Sequence, residues 1–150
     1  MPEPLQAFIY SYPKKWLVNP LHQIKTALLI IQFSLALLWI YQGLIPKLCF
    51  HATDELRIWQ LQGLSSPLIQ ALINVSGGAE IIFGVLFCLF RQAKILHLLN
   101  ILALLSLSVL IVALDPTYFT QAFNPFVMNT AMIALSIVAL QLLNIQKSLR

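Results

Sequence analysis

The chain has 150 residues, of which 59% are hydrophobic and only 9% charged, with a mean hydropathy of +0.84. A soluble domain carries about 25% charged residues, so this composition excludes an ordinary water-soluble fold. The net charge of +4 is scattered along the chain, which excludes a nucleic-acid surface and makes the position of each charge the informative quantity.

The segment 1–25 places Phe8, Tyr10, Tyr12 and Trp16 beside Lys14 and Lys15. Amphipathic aromatics next to bases suit a membrane–water interface, and the segment is read as lying along the cytoplasmic surface. It does not read as a signal peptide. The apolar run after it is about twice the length of a signal core, and no small-residue cleavage site follows.

Four apolar runs then occupy most of the chain, at about 26–46, 68–90, 95–114 and 126–145. Each approaches the roughly 20 residues that cross about 30 Å of hydrocarbon. Buried helices of a soluble protein are the bland alternative, but these runs leave no polar helices to surround them. The expected fold is therefore all-α: an integral membrane four-helix bundle over 26–146, with 147–150 as a cytoplasmic tail.

The connections set the architecture. Only Arg91–Lys94 separates the second and third runs, which predicts a tight antiparallel hairpin. Between Lys47 and Pro67, Thr53 caps a short helix whose first turn carries Asp54 and Glu55, as the helix dipole favours. Gly63 ends it. This helix is placed on the outer surface, with Lys47 and Glu55 meeting at the outer mouth. Lys14, Lys15, Lys25, Arg91, Lys94, Lys147 and Arg150 fall on one side of the membrane, against Lys47 and Arg57 on the other. The positive-inside rule then makes both termini cytoplasmic.

Gln70, Asn74, Gly77, Glu80, Gly84 and Cys88 share one arc of the second span, which is expected to face the bundle. Glu80 stands apart, because a carboxylate near mid-span is costly and usually serves a pathway, relay or ligand. It lies about 20 Å of helix beyond Pro67, too deep for Lys47 to reach from the outer mouth unless the first helix breaks or water enters the bundle. It is expected to be protonated at neutral pH or satisfied by a mid-membrane polar layer, for which Ser34, Ser108 and Ser136 are the candidates. On the third span, His97, Asn100, Leu104, Ser108, Ile111 and Asp115 form an inward stripe.

Several chemistries find no support. Haem needs two histidines at one depth, but His51 falls on the far side and His22 precedes the first span, leaving His22 with His97 as the one pairing. Cys49 and Cys88 are separated by most of the membrane, beyond the reach of a disulfide. Phosphate loops, nucleophile elbows and metal-ligand clusters are missing from the sequence.

The stretch Leu38-Trp39-Ile40-Tyr41-Gln42-Gly43-Leu44-Ile45-Pro46-Lys47-Leu48 resembles the first-helix signature of the DoxX-like membrane proteins. Asp54-Glu55-Leu56 is similar to their acidic loop segment, and Gly78-Ala79-Glu80-Ile81 with Gly84 to their second helix. Phe123-Asn124-Pro125 with Asn129 resembles the entry to their fourth. The chain departs from that last pattern at Gln121-Ala122 and Met128, where the family has a His-Pro pair and often a Lys. Roles resting on that imidazole or ammonium are not carried over.

The resemblance implies a four-helix bundle acting as an accessory or redox-linked, quinone-associated membrane subunit. Its candidate functional residues are Glu80, Lys47, Glu55, Gln42, Asn124, Pro125 and Asn129. Its partners would be the bilayer and a membrane or peripheral oxidoreductase, with oligomerisation left open. Quinone is the cofactor implied, and no metal is expected. The alternative is a small proton-coupled transporter using Glu80, although small multidrug transporters carry their key Glu in the first helix. A purely structural role in assembly is the third reading. An isolated chain of this kind is not expected to be an enzyme, and its expected location is the bacterial inner membrane.

Overall fold

The computed structural model describes residues 19–50, 53–117 and 124–149, with backbone alone at 53, 54 and 125. The interfacial segment through residue 18, His51 and the Gln121-Ala122 departure lie outside the described residues. Five α-helices account for nearly all of the rest: α1 (Pro20–Gln42), α2 (Thr53–Leu61), α3 (Ser66–Leu89), α4 (Lys94–Leu114) and α5 (Pro125–Ser148).

Helix α1 begins ahead of its apolar run because the local chemistry favours a start there. Asn19 Oδ1 accepts from Leu21 N at 3.0 Å, and Pro20 occupies a position where its missing N–H costs nothing. At the other end, Pro46 does not terminate the helix. The chain widens into a π-helical stretch, Gly43–Cys49, closed by Phe50 N donating to Ile45 O at 3.0 Å. Proline lacks the N–H and crowds the carbonyl four residues earlier, and a wider turn absorbs both defects.

Asn124 starts α5 in the same way as Asn19 starts α1, its Oδ1 accepting from Val127 N at 3.3 Å with Pro125 just inside. The short helix α2 ends in a turn that needs Gly63 at φ +72°, a left-handed conformation that side chains with a Cβ disfavour.

Four helical segments are long and apolar enough to cross a membrane, at 30, 24, 21 and 23 residues. Their outward faces carry Leu29, Ile30, Phe33 and Leu37 on α1 and Leu98, Leu102, Leu105 and Val109 on α4. Large apolar faces of that kind need lipid around them. The first segment, about 45 Å at 1.5 Å per residue, exceeds the hydrocarbon thickness and must tilt or project.

Helix α1 is the hub, packing on α3 along one side and on α5 along another, while α4 packs on α5. Glycines set the α1–α3 seam. A Cβ on Gly84 would lie 2.8 Å from Ala36 O, and one on Gly77 would lie 2.9 Å from Gly43 O. The arc expected to face inward is wider than this seam: Gly77 and Gly84 are buried, whereas Asn74 and Cys88 are exposed.

The expected tight α3–α4 hairpin is also corrected. Near the connection Phe87 meets the His97 ring at 5.3 Å, but further along the two helices part. The glycines draw α3 onto α1, and the polar stripe of α4 draws that helix onto α5. The resulting cleft, about 520 Å³, is lined by Ala79 and Phe83 on one side and Leu99, Leu102 and Ala103 on the other.

Candidate functional site

The π-helical stretch decides where Lys47 goes. Its Cβ packs 3.0 Å from where a Cβ on Gly77 would stand, so Lys47 is level with Gly77, about three helical turns inside the start of α3 at Ser66. Glu80 is one turn further on. The Lys47 Nζ lies 2.6 Å from Glu80 Oε1 and 3.2 Å from Glu55 Oε1.

The expectation that Lys47 is out of reach of Glu80 is therefore wrong, and its physical cause is plain. It assumed that the first span ends at Pro46, level with Pro67, whereas the helix continues and lies deeper against the glycine seam. Among the described residues, the hydrogen bonds of Glu80 come from Lys47 and none from the three serines. Ser136 serves His97 and Asn100, Ser108 serves Leu104 and Asn129, and Ser34 is half-buried on α1.

The third donor position of Lys47 is used on Ser76 Oγ at 3.2 Å, and Ser76 spends its own proton on Ile73 O at 3.0 Å. The ammonium is thus fully committed. On α2, Glu55 holds Lys47 from above while Arg57 Nη2 pairs with Asp115 Oδ2 at 3.3 Å. Two ion pairs therefore strap the short helix across this end of the bundle, one to the π-helical stretch that continues α1 and one to the end of α4. Ile58, buried, points beneath it.

Under the strap lies a cavity of about 210 Å³. Gln42, Lys47, Glu55 and Glu80 form its polar side, and Pro46, Trp59, Leu107, Leu110, Leu114 and Met128 its apolar walls. Glu80 also lines the α3–α4 cleft, so one carboxylate is shared by the inner cavity and the lipid-facing opening. Among the described residues, Gln42 Oε1 and Glu80 Oε2 are buried without a partner, as is Asn129 Oδ1, next to Met128 in the chain. A buried, unpaired acceptor costs free energy, and these three oxygens are closed off from solvent.

A second polar cluster holds the helices together. Trp39 Nε1 donates to Asn100 Oδ1 at 2.7 Å, and Asn100 Nδ2 donates to Ser136 Oγ at 2.8 Å and to Met132 O at 3.3 Å. An edge-to-face chain runs from Trp39 through Phe83 and Phe87 to His97, with centroids 5.0, 5.4 and 5.3 Å apart. His97 Nδ1, 3.3 Å from Ser136 Oγ, closes the ring. The contacts tie α1, α3, α4 and α5 together and leave His97 1% exposed, so this His is a packing residue. Sequence reading placed Asn100 and His97 on the inward stripe of α4 but missed Trp39 as their partner. Its indole N–H, at mid-span on an apolar helix, was the signal, since such a donor needs an acceptor.

Of the sequence candidates, the structure brings together Gln42, Lys47, Glu55 and Glu80. Asn129, on α5, does not line the cavity with them: its Nδ2 donates to Ser108 Oγ at 3.2 Å. Asn124 and Pro125 build the start of α5. Cys49 and Cys88 are both free and exposed. The described residues contain no cluster that would hold a metal ion.

A helical bundle with four membrane-spanning segments, built around an intramembrane ion-paired cavity, defines a multi-pass membrane protein. Residues 36–137 match the family model described as the DoxX-like family, and the chain belongs to that family. The match covers Trp39, Lys47, Glu55, Glu80 and Asn129 alike. No curated protein and no solved structure matched the chain.

Proposed function

We propose that this protein is a redox-linked accessory subunit of a bacterial inner membrane, and that its cavity holds the head group of a quinone-type lipid. The observation that carries this reading is the position of Glu80, at once in the wall of a partly open, polar-ended cavity and in a more open apolar cleft. Ligand sites are mostly apolar with a few placed polar groups, and this one matches that description. A flat head group would sit between Trp59 and the α4 leucines, against Gln42 and Glu80. Its tail would leave along Phe83 and Leu102. A bound quinone would supply two-electron carriage within the membrane. The chain's own residues hold and orient it, and the partner oxidoreductase would supply the electrons.

The test is extraction of the protein from its native membrane, with mass spectrometry of the bound lipids and co-purifying proteins. The expected result is a quinone-type lipid retained at near-stoichiometric level and lost in Leu110→Trp, which fills the cavity from α4. A wild-type protein carrying no such lipid, or a filled variant that retains it equally, would remove the reading. Proton-driven uptake into proteoliposomes that disappears in Glu80→Gln would favour the transporter reading instead.

The same proposal places both termini in the cytoplasm. Lys25, Arg91, Lys94 and Lys147 gather at the end opposite α2, whereas the α2 end holds Lys47 and Arg57, both neutralised by carboxylates. A fluorescent reporter fused after Arg150 should mature, and one requiring export should be active only at the loop near Thr117. Export activity after Arg150 would invert the arrangement.

A further inference from the structure

We propose that the end of the bundle opposite α2 binds one anionic phospholipid bearing two phosphates, independently of whatever occupies the cavity under α2. Four cations gather at that end: Lys25 near the start of α1, Arg91 in the α3–α4 connection, Lys94 at the start of α4 and Lys147 near the end of α5. All four are exposed, and among the described residues none forms an ion pair. The carboxylates that do so, Glu55, Glu80 and Asp115, pair with Lys47 and Arg57 instead. Basic pockets between helices at the rim of a membrane bundle attract phosphate head groups.

The arrangement is more specific than a density of charge. Two pockets open here, of about 170 and 280 Å³. Each is several times the roughly 30 Å³ share of one water molecule, so each has room for a phosphate. Lys25 and Arg91 line the first, Lys94 and Lys147 the second, and Gln92 and Gln146 line both. Two pairs of cations flanking shared amides match two phosphates joined by a short bridge.

Gln146 supplies an independent sign of a ligand. It is only 5% exposed, and among the described residues its side chain makes no hydrogen bond. Its amide atoms are not sealed, however, unlike the unpartnered oxygens of Gln42, Glu80 and Asn129. An amide can donate to a phosphate oxygen and accept from the hydroxyl of a glycerol bridge.

The cations are positioned in advance. Gln32 Nε2 donates to Arg91 O, which ties the α3–α4 connection to α1 near Lys25. Arg91 Nε donates to Cys88 O at 3.4 Å, and its terminal nitrogens remain for a phosphate. Lys94 Nζ donates to Asn144 Oδ1, which draws it toward α5 and Lys147. The N-cap of α4 is Ala93, whose side chain accepts nothing, so the positive end of that helix adds to the attraction.

A lipid fits better than a soluble diphosphate, because an apolar path leads away from the first pocket. A narrow groove shares Gln32 and Arg91 with it and continues over Leu29, Phe33 and Phe87. Leu29 and Phe33 are exposed there, as an acyl chain lying along α1 requires.

The experiment is native mass spectrometry of the full-length protein, delipidated in mild detergent and titrated with lipids of matched acyl chains. Diphosphatidylglycerol has two phosphates, phosphatidylglycerol one, and phosphatidylethanolamine is zwitterionic. The second phosphate engages two more cations, so diphosphatidylglycerol should bind at one per chain and at least about tenfold more tightly than the other two. Lys25→Gln with Arg91→Gln, or Lys94→Gln with Lys147→Gln, should each reduce its affinity to that of phosphatidylglycerol. These side chains are exposed, so the fold tolerates their replacement. Equal binding of the one- and two-phosphate lipids by wild-type protein, or no binding of either, would overturn the proposal without a variant. A preference that survives in both double variants would overturn the assignment to these pockets. Inorganic pyrophosphate that displaces the lipid at equal concentration would transfer the site to a soluble anion and overturn the lipid.

Discussion

Lys47→Met should destabilise the bundle by about 3–5 kcal/mol, the usual cost of removing one member of a buried ion pair. Among the described residues the ammonium is the one cation shared by Glu55 and Glu80, at 3.2 and 2.6 Å, and its side chain is only 13% exposed. Its loss strands Glu80 in the bundle with no compensating charge. It also releases Glu55, and with it one of the two ion pairs that strap α2 across the cavity. Methionine matches the length and flexibility of the lysine stem, so the change reports on charge more than on packing. Adding Glu80→Gln to Lys47→Met should recover most of the loss, because a neutral amide does not need a cation. Unfolding followed by circular dichroism in mixed micelles measures all three proteins. A single variant as stable as wild type, or a double variant no better than the single, would remove the ion pair from the account of stability.

The second large effect is steric. Gly84→Leu should separate α1 from α3 and cost about 1–3 kcal/mol or more, the range for overpacking a close contact. A Cβ there would meet Ala36 O and Ile40 Cγ1, both at 2.8 Å, and lie 3.1 Å from Ile40 N. Two of these three atoms are backbone, so no rotamer change relieves the clash and the helices must move apart. Gly78→Leu is the control on the same helix, because a Cβ at Gly78 meets nothing within 4 Å. There the substitution should be neutral or slightly stabilising, since glycine in a helix interior costs about 1 kcal/mol relative to alanine. The melting temperatures of the two variants in detergent should move in different directions. Similar losses at both positions would show that helix propensity or lipid contact, and not close packing, governs this seam.

Much of the molecule was legible in the sequence because the bilayer imposes a simple rule: a segment that crosses must satisfy its backbone internally and expose apolar side chains. The four spans, the inward stripe of α4 and the short polar helix over the mouth all follow from hydropathy, period and capping residues. The close approach of α1 and α3 was foreshadowed by Gly77 and Gly84. The partner of Lys47 was not. Its depth depends on a π-helical stretch around Pro46, and sequence reading treated that proline as a stop.

Sequence by itself determined that the chain is a four-span helical membrane protein and that Glu80 is its costly residue, because length, polarity and burial cost are properties of each segment alone. Tertiary structure decided what Glu80 meets. Register between two helices is set by which small residues touch, and a shift of one turn, about 5.4 Å, separates a salt bridge from a stranded carboxylate. The same register opened α3 from α4 and placed Glu80 between the cavity under α2 and the α3–α4 cleft. Helix divergence of that kind arises when two neighbours are pulled toward different third partners, α1 and α5, and no property of the four-residue connection between them encodes it.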